Sequence, residues 1–324
     1  MKIAFLADPL SGFKTYKDST YAMMVEAVSR GHAIYAFEQK DLALEDGKVS
    51  AEVARIHLLE VTLSDSAQSW YRTDAPVQMS LDAFDAVVNR KDPPFDMEYI
   101  YATYLLELAQ NGGAKVFNRP DAVRNHNEKL TIAQFAQFTA PTLVTSNEAR
   151  LRAFHATHRD MILKPLDGMG GAGIFRIKED GLNLGSTIET LTLNGQRTIM
   201  AQRYIPEIAL GDKRILLIGG KVVPFALARI PQAGEVRGNL AAGGTGVAQA
   251  LSARDREIAE SCAPILAQRG LMLVGLDVIG NYLTEVNVTS PTCFQEITRQ
   301  TGFNVAAMFV DALEQANSQT ISAQ

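Results

Sequence analysis

The stretch MILKPLDGMGGAG at residues 161–173 constrains the fold more than any other part of the chain. An apolar run ends in Lys164-Pro165, a loop holding Gly168, Gly170, Gly171 and Gly173 follows, and Ile174, Phe175, Arg176 and Ile177 resume an apolar pattern of strand length. Strand, lysine, glycine loop and strand describe a flap over a triphosphate. Backbone N–H groups freed by glycine approach phosphate oxygens closely, and the lysine adds a point charge. The loop also spells G-x-G-x-x-G, but that motif marks a dinucleotide site only where its third glycine opens a helix. Here the residues that follow are strand formers. A glycine hairpin without a ligand is the plainer alternative. The Walker type of phosphate loop is excluded, since Gly219-Gly220-Lys221 is followed by Val222.

Around the flap, strand and helix patterns alternate. Residues 2–7, 33–37, 84–89 and 115–118 read as strands. Asp18-Ser19-Thr20 caps a helix that runs to Arg30 and stops at Gly31, and a helix over 97–111 is stopped by Gly112-Gly113. This alternation predicts an α/β unit with a Rossmann-like, largely parallel sheet over residues 1–124. A second unit, 125–205, opens at Asn127-Glu128-Lys129, the head of a short helix, and carries strands at 142–145 and 198–204 beside the flap. A third, 206–316, opens at Pro206. It holds strands at 213–218 and 221–229, a glycine-rich loop, a helix over 253–268 and two closing strands, and residues 317–324 read as a polar tail.

The 324 residues suit two or three domains, and 47% hydrophobic with 21% charged residues is the balance of a folded chain. A net charge of −5 without any run of lysine and arginine argues against nucleic acid as the main partner. Cys262 and Cys293 have neither metal nor disulfide spacing, so a reducing cytoplasm is expected. The apolar run over 3–7 ends at Asp8, too short for a signal-peptide core, and no later segment is long enough to span a bilayer.

Residues 274–279 and 283–288 read as paired strands joined at Gly280-Asn281. Asp277 lies on the first, and Glu285 and Asn287 leave the same face of the second. Three oxygen donors suit magnesium, a hard cation that takes few protein ligands together with substrate phosphates. An exposed polar strand face is the alternative, but acids have no packing reason to lie among Leu276, Val278, Val286 and Val288. Register tests the idea. A two-residue turn sets Asp277 opposite Thr284 and turns it away from Glu285, so a metal site requires an odd-length loop or a bulge.

From 230 to 246 the chain has five glycines and few large apolar residues, with Arg229, Arg237 and Asn239 in or beside it. This is the composition of a cover that carries arginine charge over a reacting centre and excludes water, or of a plain surface loop. His155 and His158 read as the solvated face of a polar helix, Trp70 and Tyr71 as cover for a core edge, and Cys293 as a small buried residue. No Ser-His-Asp or Cys-His arrangement can be read from spacing.

The runs KDSTYAMMVEA, NRKDPPFDMEYIYATYLLE, NEKL, ILKPLDGMGGAGIFR, GDKRILL, LARIPQ, RGNLAAGG, VGLDVIG and LTEVNVTSPT together resemble the ATP-grasp superfamily of carboxylate–amine ligases. Within it the chain resembles the bacterial glutathione synthetases over nearly its whole length. KDPPFD, LDGMGG and NVTSPT are narrower than the superfamily. The resemblance implies an ATP-grasp fold: an N-terminal Rossmann-like domain, a small central lid domain and a C-terminal antiparallel-sheet domain. It implies ATP-driven ligation of γ-glutamylcysteine and glycine through an acyl phosphate, with release of ADP and phosphate, by a cytoplasmic homotetramer. A ligase resembling D-alanine–D-alanine ligase, a glutamate ligase and a non-catalytic nucleotide-binding module are the competing readings.

Carried over position by position, Lys129 and Lys164 would bind the nucleotide phosphates under the flap of Gly168, Gly170 and Gly171. Gln202, Arg203, Tyr204 and Ile205 would form the hinge that meets adenine. Asp212 would meet the ribose, and Arg214 the transferred phosphoryl group. Asp277, Glu285 and Asn287 would hold magnesium, with manganese as a substitute. Arg229, Arg237, Asn239 and the corner Thr289-Ser290-Pro291 would border the acceptor, and Asp18, Ser19 and Arg90 would lie towards the dipeptide. The family pattern has an arginine in the GG-x-G end of the lid where this chain has Thr245, which puts one lid charge in doubt.

Overall fold

The computed structural model describes residues 1–59, 70–232, 234, 238, 240 and 243–321. The unbroken apolar run of β1 (Lys2–Leu6) places it at the centre of the N-terminal sheet, where both faces are covered. The chain then enters α1 (Ser19–Ser29), capped by the Asp18 carboxylate, which accepts the Tyr21 N–H at 2.8 Å. It returns as β2 (Ala33–Phe37), parallel to β1. An antiparallel arm follows: β3 (Leu42–Glu45), β4 (Lys48–Leu58), β5 (Tyr71–Thr73) and β6 (Val77–Ser80). Then come β7 (Ala86–Asn89), α2 (Met97–Asn111), β8 (Val116–Phe117) and α3 (Pro120–Asn125).

The sheet runs β3-β4-β2-β1-β7-β8, with β5 and β6 also on β4, and is parallel only across β2-β1-β7-β8. The expected parallel sheet is therefore half of a larger mixed one. The sequence reading passed over the arm, although β4 alternates exposed Lys48 and Glu52 with buried Val49, Ala51 and Val53, the pattern of a half-buried strand; its partners are short. Trp70 does cover a core edge, packed among Phe13, Tyr21 and Tyr71.

After a 3-10 helix at Leu130–Phe138, the second unit has β9 (Thr142–Thr145), α4 (Glu148–His158), β10 (Met161–Pro165), β11 (Phe175–Ile177), α5 (Leu184–Thr192) and β12 (Ile199–Arg203). Its antiparallel order is β11-β10-β12-β9. β10 and β11 pair across the glycine loop, so a strand and not a helix follows the third glycine, which rules out the dinucleotide reading. His155 corrects an expectation. It is buried, with its ring Nε2 2.8 Å from the Lys178 carbonyl, so the face read as solvated packs on the sheet side of α4.

The third unit contains β13 (Asp212–Ile218), β14 (Lys221–Ile230), β15 (Thr245–Ala250), α6 (Ala253–Gln268), β16 (Leu273–Ile279), β17 (Tyr282–Asn287), α7 (Phe294–Thr301) and α8 (Val305–Ile321). Its antiparallel order is β15-β14-β13-β16-β17. α8 continues to Ile321, through residues read as a tail. Among the described residues no helix is long and apolar enough to cross a membrane.

Strand alternation divides β13 between two cores. Ile215 and Leu217 pack with Ile258 and Leu266 of α6, together with Val274, Leu276 and Val286. Leu216 and Ile218 face the other way and join Ile3, Phe5, Met23, Phe294 and Phe309 in a core shared by the first and third units. On that same face, Asp212 and Arg214 lie further along the strand, at a cavity rather than under helices.

Candidate active site

The cavity, about 290 Å³ in volume, lies where the C-terminal sheet, the glycine flap and the hinge meet. Its floor is two charged rows across the C-terminal sheet. In one, Glu285, Asp277 and Arg214 stand opposite one another on β17, β16 and β13. In the next, Asp212 on β13 stands opposite Arg229 on β14.

The first row exists because of a bulge. The two-residue turn at Gly280-Asn281 pairs Ile279 with Tyr282 and Val278 with Leu283. The register then shifts so that Asp277 meets Glu285, with Thr284 as the extra residue. The Thr284 hydroxyl donates to the Asp277 carbonyl at 3.0 Å and holds the bulge. Both Glu285 and Asn287 thereby share the face of Asp277.

Arg214 reaches Asp277 through Nε at 2.5 Å and Nη2 at 3.0 Å, and Arg229 adds a contact to the same carboxylate at 2.8 Å. Arg229 is also bonded to a carboxylate oxygen of Asp212. Burial alone would push the Asp277 carboxyl up, but Arg214 and Arg229 outweigh it and hold it well below the usual carboxylate range. Burial pushes Asp212 up against the pull of Arg229, with Asp277 and Glu285 adding to the rise. Among the described residues its buried Oδ1 has no hydrogen-bond partner.

From the flap side, Lys129 donates to the Gly168 carbonyl, and the ammonium groups of Lys129 and Lys164 stand 3.5 and 3.7 Å from one oxygen of Glu285. Burial pulls Lys164 below its ordinary value, Lys129 adds to that and Glu285 opposes it. Gly170, Gly171 and Gly173 all have positive φ, at 61°, 84° and 72°, a conformation in which side chains are strained. The hinge forms the remaining wall. Gln202 donates to the Thr142 hydroxyl at 3.0 Å, and the Arg203 guanidinium donates to the Tyr282 hydroxyl at 3.1 Å. Tyr204 lies beneath Arg176, whose charge is 3.5 Å above the ring, and Ile162, Ile174, Ile205 and Ile208 make this end apolar.

The cavity thus brings together Lys129, Lys164, the flap glycines, residues 202–205, Asp212, Arg214, Arg229, Asp277, Glu285, Asn287 and the corner Thr289-Ser290-Pro291. Three expected substrate residues stand behind this wall. Asp18 caps α1, Ser19 accepts the Phe294 N–H at 3.2 Å, and Arg90 donates to the Thr20 hydroxyl at 3.1 Å and the Pro291 carbonyl at 2.9 Å. Among the described residues one buried nitrogen of Arg90 has no partner. Arg237 and Asn239 lie outside the described residues, but Gly238 between them packs so tightly that a Cβ would stand 2.3 Å from the Arg229 carbonyl.

Two residues of the site were missed. Glu128 accepts the Val288 and Thr289 N–H groups at 2.9 and 3.1 Å and the Thr289 hydroxyl at 2.9 Å, tying the head of the second unit to the corner at Thr289-Ser290-Pro291. Gly275 lies under Arg214, where a Cβ would meet the arginine Cδ at 2.8 Å. A glycine inside a strand signals such a close approach, so Gly275 was detectable. Nothing in the local pattern marks Glu128.

Among the described residues no cluster of three His, Cys, Asp or Glu side chains is set to hold a metal. The donor set here is two carboxylates and an amide. The Asn287 nitrogen donates to the Gly275 carbonyl at 3.2 Å, which leaves its oxygen as the donor towards the cavity. An all-oxygen set beside two lysines fits magnesium with a polyphosphate.

Comparison with known proteins agrees with this construction. The crystal structure of D-cycloserine synthetase DcsG matches with a TM-score of 0.66 at 15% identity, covering 97% of this chain and 99% of that one. The ATP-grasp ligase PsnB, complexed with a minimal precursor, matches at 0.63 and 17% identity, covering 97% and 98%. The fold is that of the ATP-grasp class. Residues 1–124 match the model of the prokaryotic glutathione synthetase N-terminal domain, and residues 128–302 that of the prokaryotic glutathione synthetase ATP-grasp domain. The glutathione synthetase of Ralstonia nicotianae is 66% identical over 316 residues, 98% of this chain and 96% of its own length. That of Neisseria meningitidis serogroup A is 60% identical over 313 residues, covering 97% and 98%. The chain belongs to the prokaryotic glutathione synthetase family.

Proposed function

We propose that the cavity joins γ-glutamylcysteine to glycine with ATP, through an acyl phosphate, and releases glutathione, ADP and phosphate. The observation that carries this reading is the convergence of Lys129 and Lys164 on Glu285, beside the Arg214–Asp277–Arg229 array, under a glycine flap. A carboxylate is a poor electrophile because its charge is delocalised, and it is repelled by a triphosphate. Phosphorylation gives it a leaving group, so the protein must first gather like charges.

Lys129 and Lys164 bind the phosphates, and Arg214 meets the phosphoryl group in transfer. Residues 202–205 and the apolar wall receive the adenine. The Asp212 Oδ1, which has no partner among the described residues, accepts a ribose hydroxyl. Asp277, Glu285 and Asn287 would hold magnesium, or manganese in its place. When bound, the metal would supply positive charge that offsets the repulsion between phosphates and a carboxylate. Arg229, the lid residues Arg237 and Asn239, and the corner 289–291 border the acceptor. Arg90 supports that corner through the Pro291 carbonyl, and Asp18 and Ser19 orient α1 towards the dipeptide. Exclusion of water by the lid protects the acyl phosphate until the glycine amine attacks. The same reading makes the protein a homotetramer of the cytoplasm.

Incubation with ATP, γ-glutamylcysteine and glycine tests the reaction. With the dipeptide carboxylate labelled by heavy oxygen, one labelled atom is expected in inorganic phosphate, and ADP formation is expected to require the dipeptide. Label in AMP, or ADP formed equally fast without dipeptide, would overturn the proposal.

A further inference from the structure

The carboxylates that line the cavity divide by what holds them. Asp277 is bound by Arg214 and Arg229, Asp212 by Arg229, and Glu285 lies between Lys129 and Lys164. Glu128 is occupied by the Val288 and Thr289 donors. Asp92 also lines the cavity, and it differs from the others. It is exposed, and among the described residues no lysine, arginine or histidine pairs with its carboxylate.

The fold positions this side chain without neutralising it. The Lys91 ammonium donates to Asp8 at 2.7 Å and to the Asp92 carbonyl at 3.0 Å, and the Asp92 N–H donates to the other oxygen of Asp8 at 3.0 Å. The backbone of residue 92 is therefore fixed on both sides, while the neighbouring cation is committed to Asp8. Pro93 follows and favours an extended residue before it. At the carboxylate, the Ser290 hydroxyl donates to Oδ1. Oδ2 has no partner among the described residues. A carboxylate held at one oxygen and open at the other, on the exposed side of a cavity, is suited to a cationic ligand group.

The proposed substrates supply two candidates. The dipeptide brings two carboxylates and one ammonium. The lysines and arginines of the floor attract the carboxylates and repel the ammonium. The ammonium is thereby directed away from the floor, where Asp92 offers negative charge free of a protein cation. Glycine also brings an ammonium, but its nitrogen must lose a proton before it attacks. A carboxylate that stabilises the charged form opposes that step. The dipeptide ammonium takes no part in the chemistry and keeps its charge throughout.

We propose that Asp92, oriented by Ser290, binds the α-ammonium of the γ-glutamyl residue and so selects the dipeptide by its non-reacting end. This inference rests on the functional reading above and assigns to it a specificity-determining residue.

Steady-state kinetics of the full chain test it with two donor substrates, γ-glutamylcysteine and glutarylcysteine, which lacks only the α-amino group. The wild type is expected to favour γ-glutamylcysteine in kcat/KM by about 10- to 100-fold, the scale of one hydrogen bond to a charged group. Asp92→Asn keeps an acceptor for Ser290 and removes the charge. It is expected to raise KM for γ-glutamylcysteine by about that factor, to leave KM for ATP and glycine unchanged, and to use the two donors equally well. The preference is a ratio measured within one preparation, so a partly unfolded variant does not alter it. A variant that keeps the wild-type preference overturns the assignment and leaves the functional reading standing. So does a rise in KM for glycine in place of the dipeptide, which would give Asp92 to the acceptor. A wild type that joins no glycine to γ-glutamylcysteine overturns the functional reading and the assignment with it.

Discussion

At residue scale, the site depends on an absent methyl group as much as on charges. Gly275 lets Arg214 lie flat across β16 onto Asp277, and a Cβ there would stand within 3.2 Å of three side-chain atoms of the arginine. Gly275→Ala should therefore lift Arg214 off its partner and lower kcat by roughly 10²-fold, the scale of one misplaced electrostatic group. The thermal midpoint should change little, and a wild-type kcat would show that Arg214 has no role in phosphoryl transfer. Glu285→Gln keeps the shape but removes the charge shared by the two lysines and assigned to metal. Its rate should fall by about 10² to 10³ at saturating magnesium with the fold intact. Retention of the wild-type rate there would sink the metal assignment. For Glu128 the two substitutions should separate. The glutamine variant keeps an acceptor for Val288 and Thr289, whereas Glu128→Ala strands buried donors at about 1–3 kcal/mol each. A larger rise in dipeptide KM for alanine than for glutamine is expected, and equal values for both would remove its positioning role.

At the scale of elements, α3 and the head of the second unit meet at His126. Its Nδ1 lies 2.6 Å from the Ala122 carbonyl and its Nε2 lies 3.0 Å from an Arg269 nitrogen, an arrangement that needs a neutral ring donating to the first and accepting from the second. Burial and the Arg269 charge lower its proton affinity, against the carbonyl and Asp121. An unfolded His126 takes its proton near the ordinary value of 6.5 and the native one only at lower pH. The stabilisation is therefore complete above 6.5 and is lost as pH falls through the depressed native value. Urea midpoints measured between pH 8 and pH 5 should drop on acidification, and His126→Gln should show a smaller drop. An unchanged pH slope in that variant would assign the effect elsewhere.

At the scale of the whole molecule, the N-terminal and C-terminal sheets are joined by one core, in which Phe294 and Phe309 pack edge to face at 6.3 Å between centroids. Both rings are buried, and their helices α7 and α8 lie against α1 and the back of the C-terminal sheet. Phe309→Ala should cost about 3–5 kcal/mol and lower a single unfolding transition seen by probes in either unit. Separate transitions for the two units would show that the shared core does not couple them.

The flap, the cap at Asp18, the helix over Ala253–Gln268 and the acidic strands were legible in the sequence. Each follows from chain-local physics: glycine conformations, side chains that bond their own backbone, and periodicities of two and 3.6 residues. The register that sets Asp277 against Glu285 was legible only as a condition, an odd loop or a bulge. The tertiary structure decided for the bulge, through the Thr284 hydroxyl bond to the Asp277 carbonyl of the neighbouring strand. The arm on β4, the burial of His155 and the placing of Asp18, Ser19 and Arg90 behind the wall also depend on partners far along the chain. Residue types and spacing state what a side chain can bond. Which partner stands within 3 Å is decided when loops of tens to hundreds of residues close, and no local pattern carries that information.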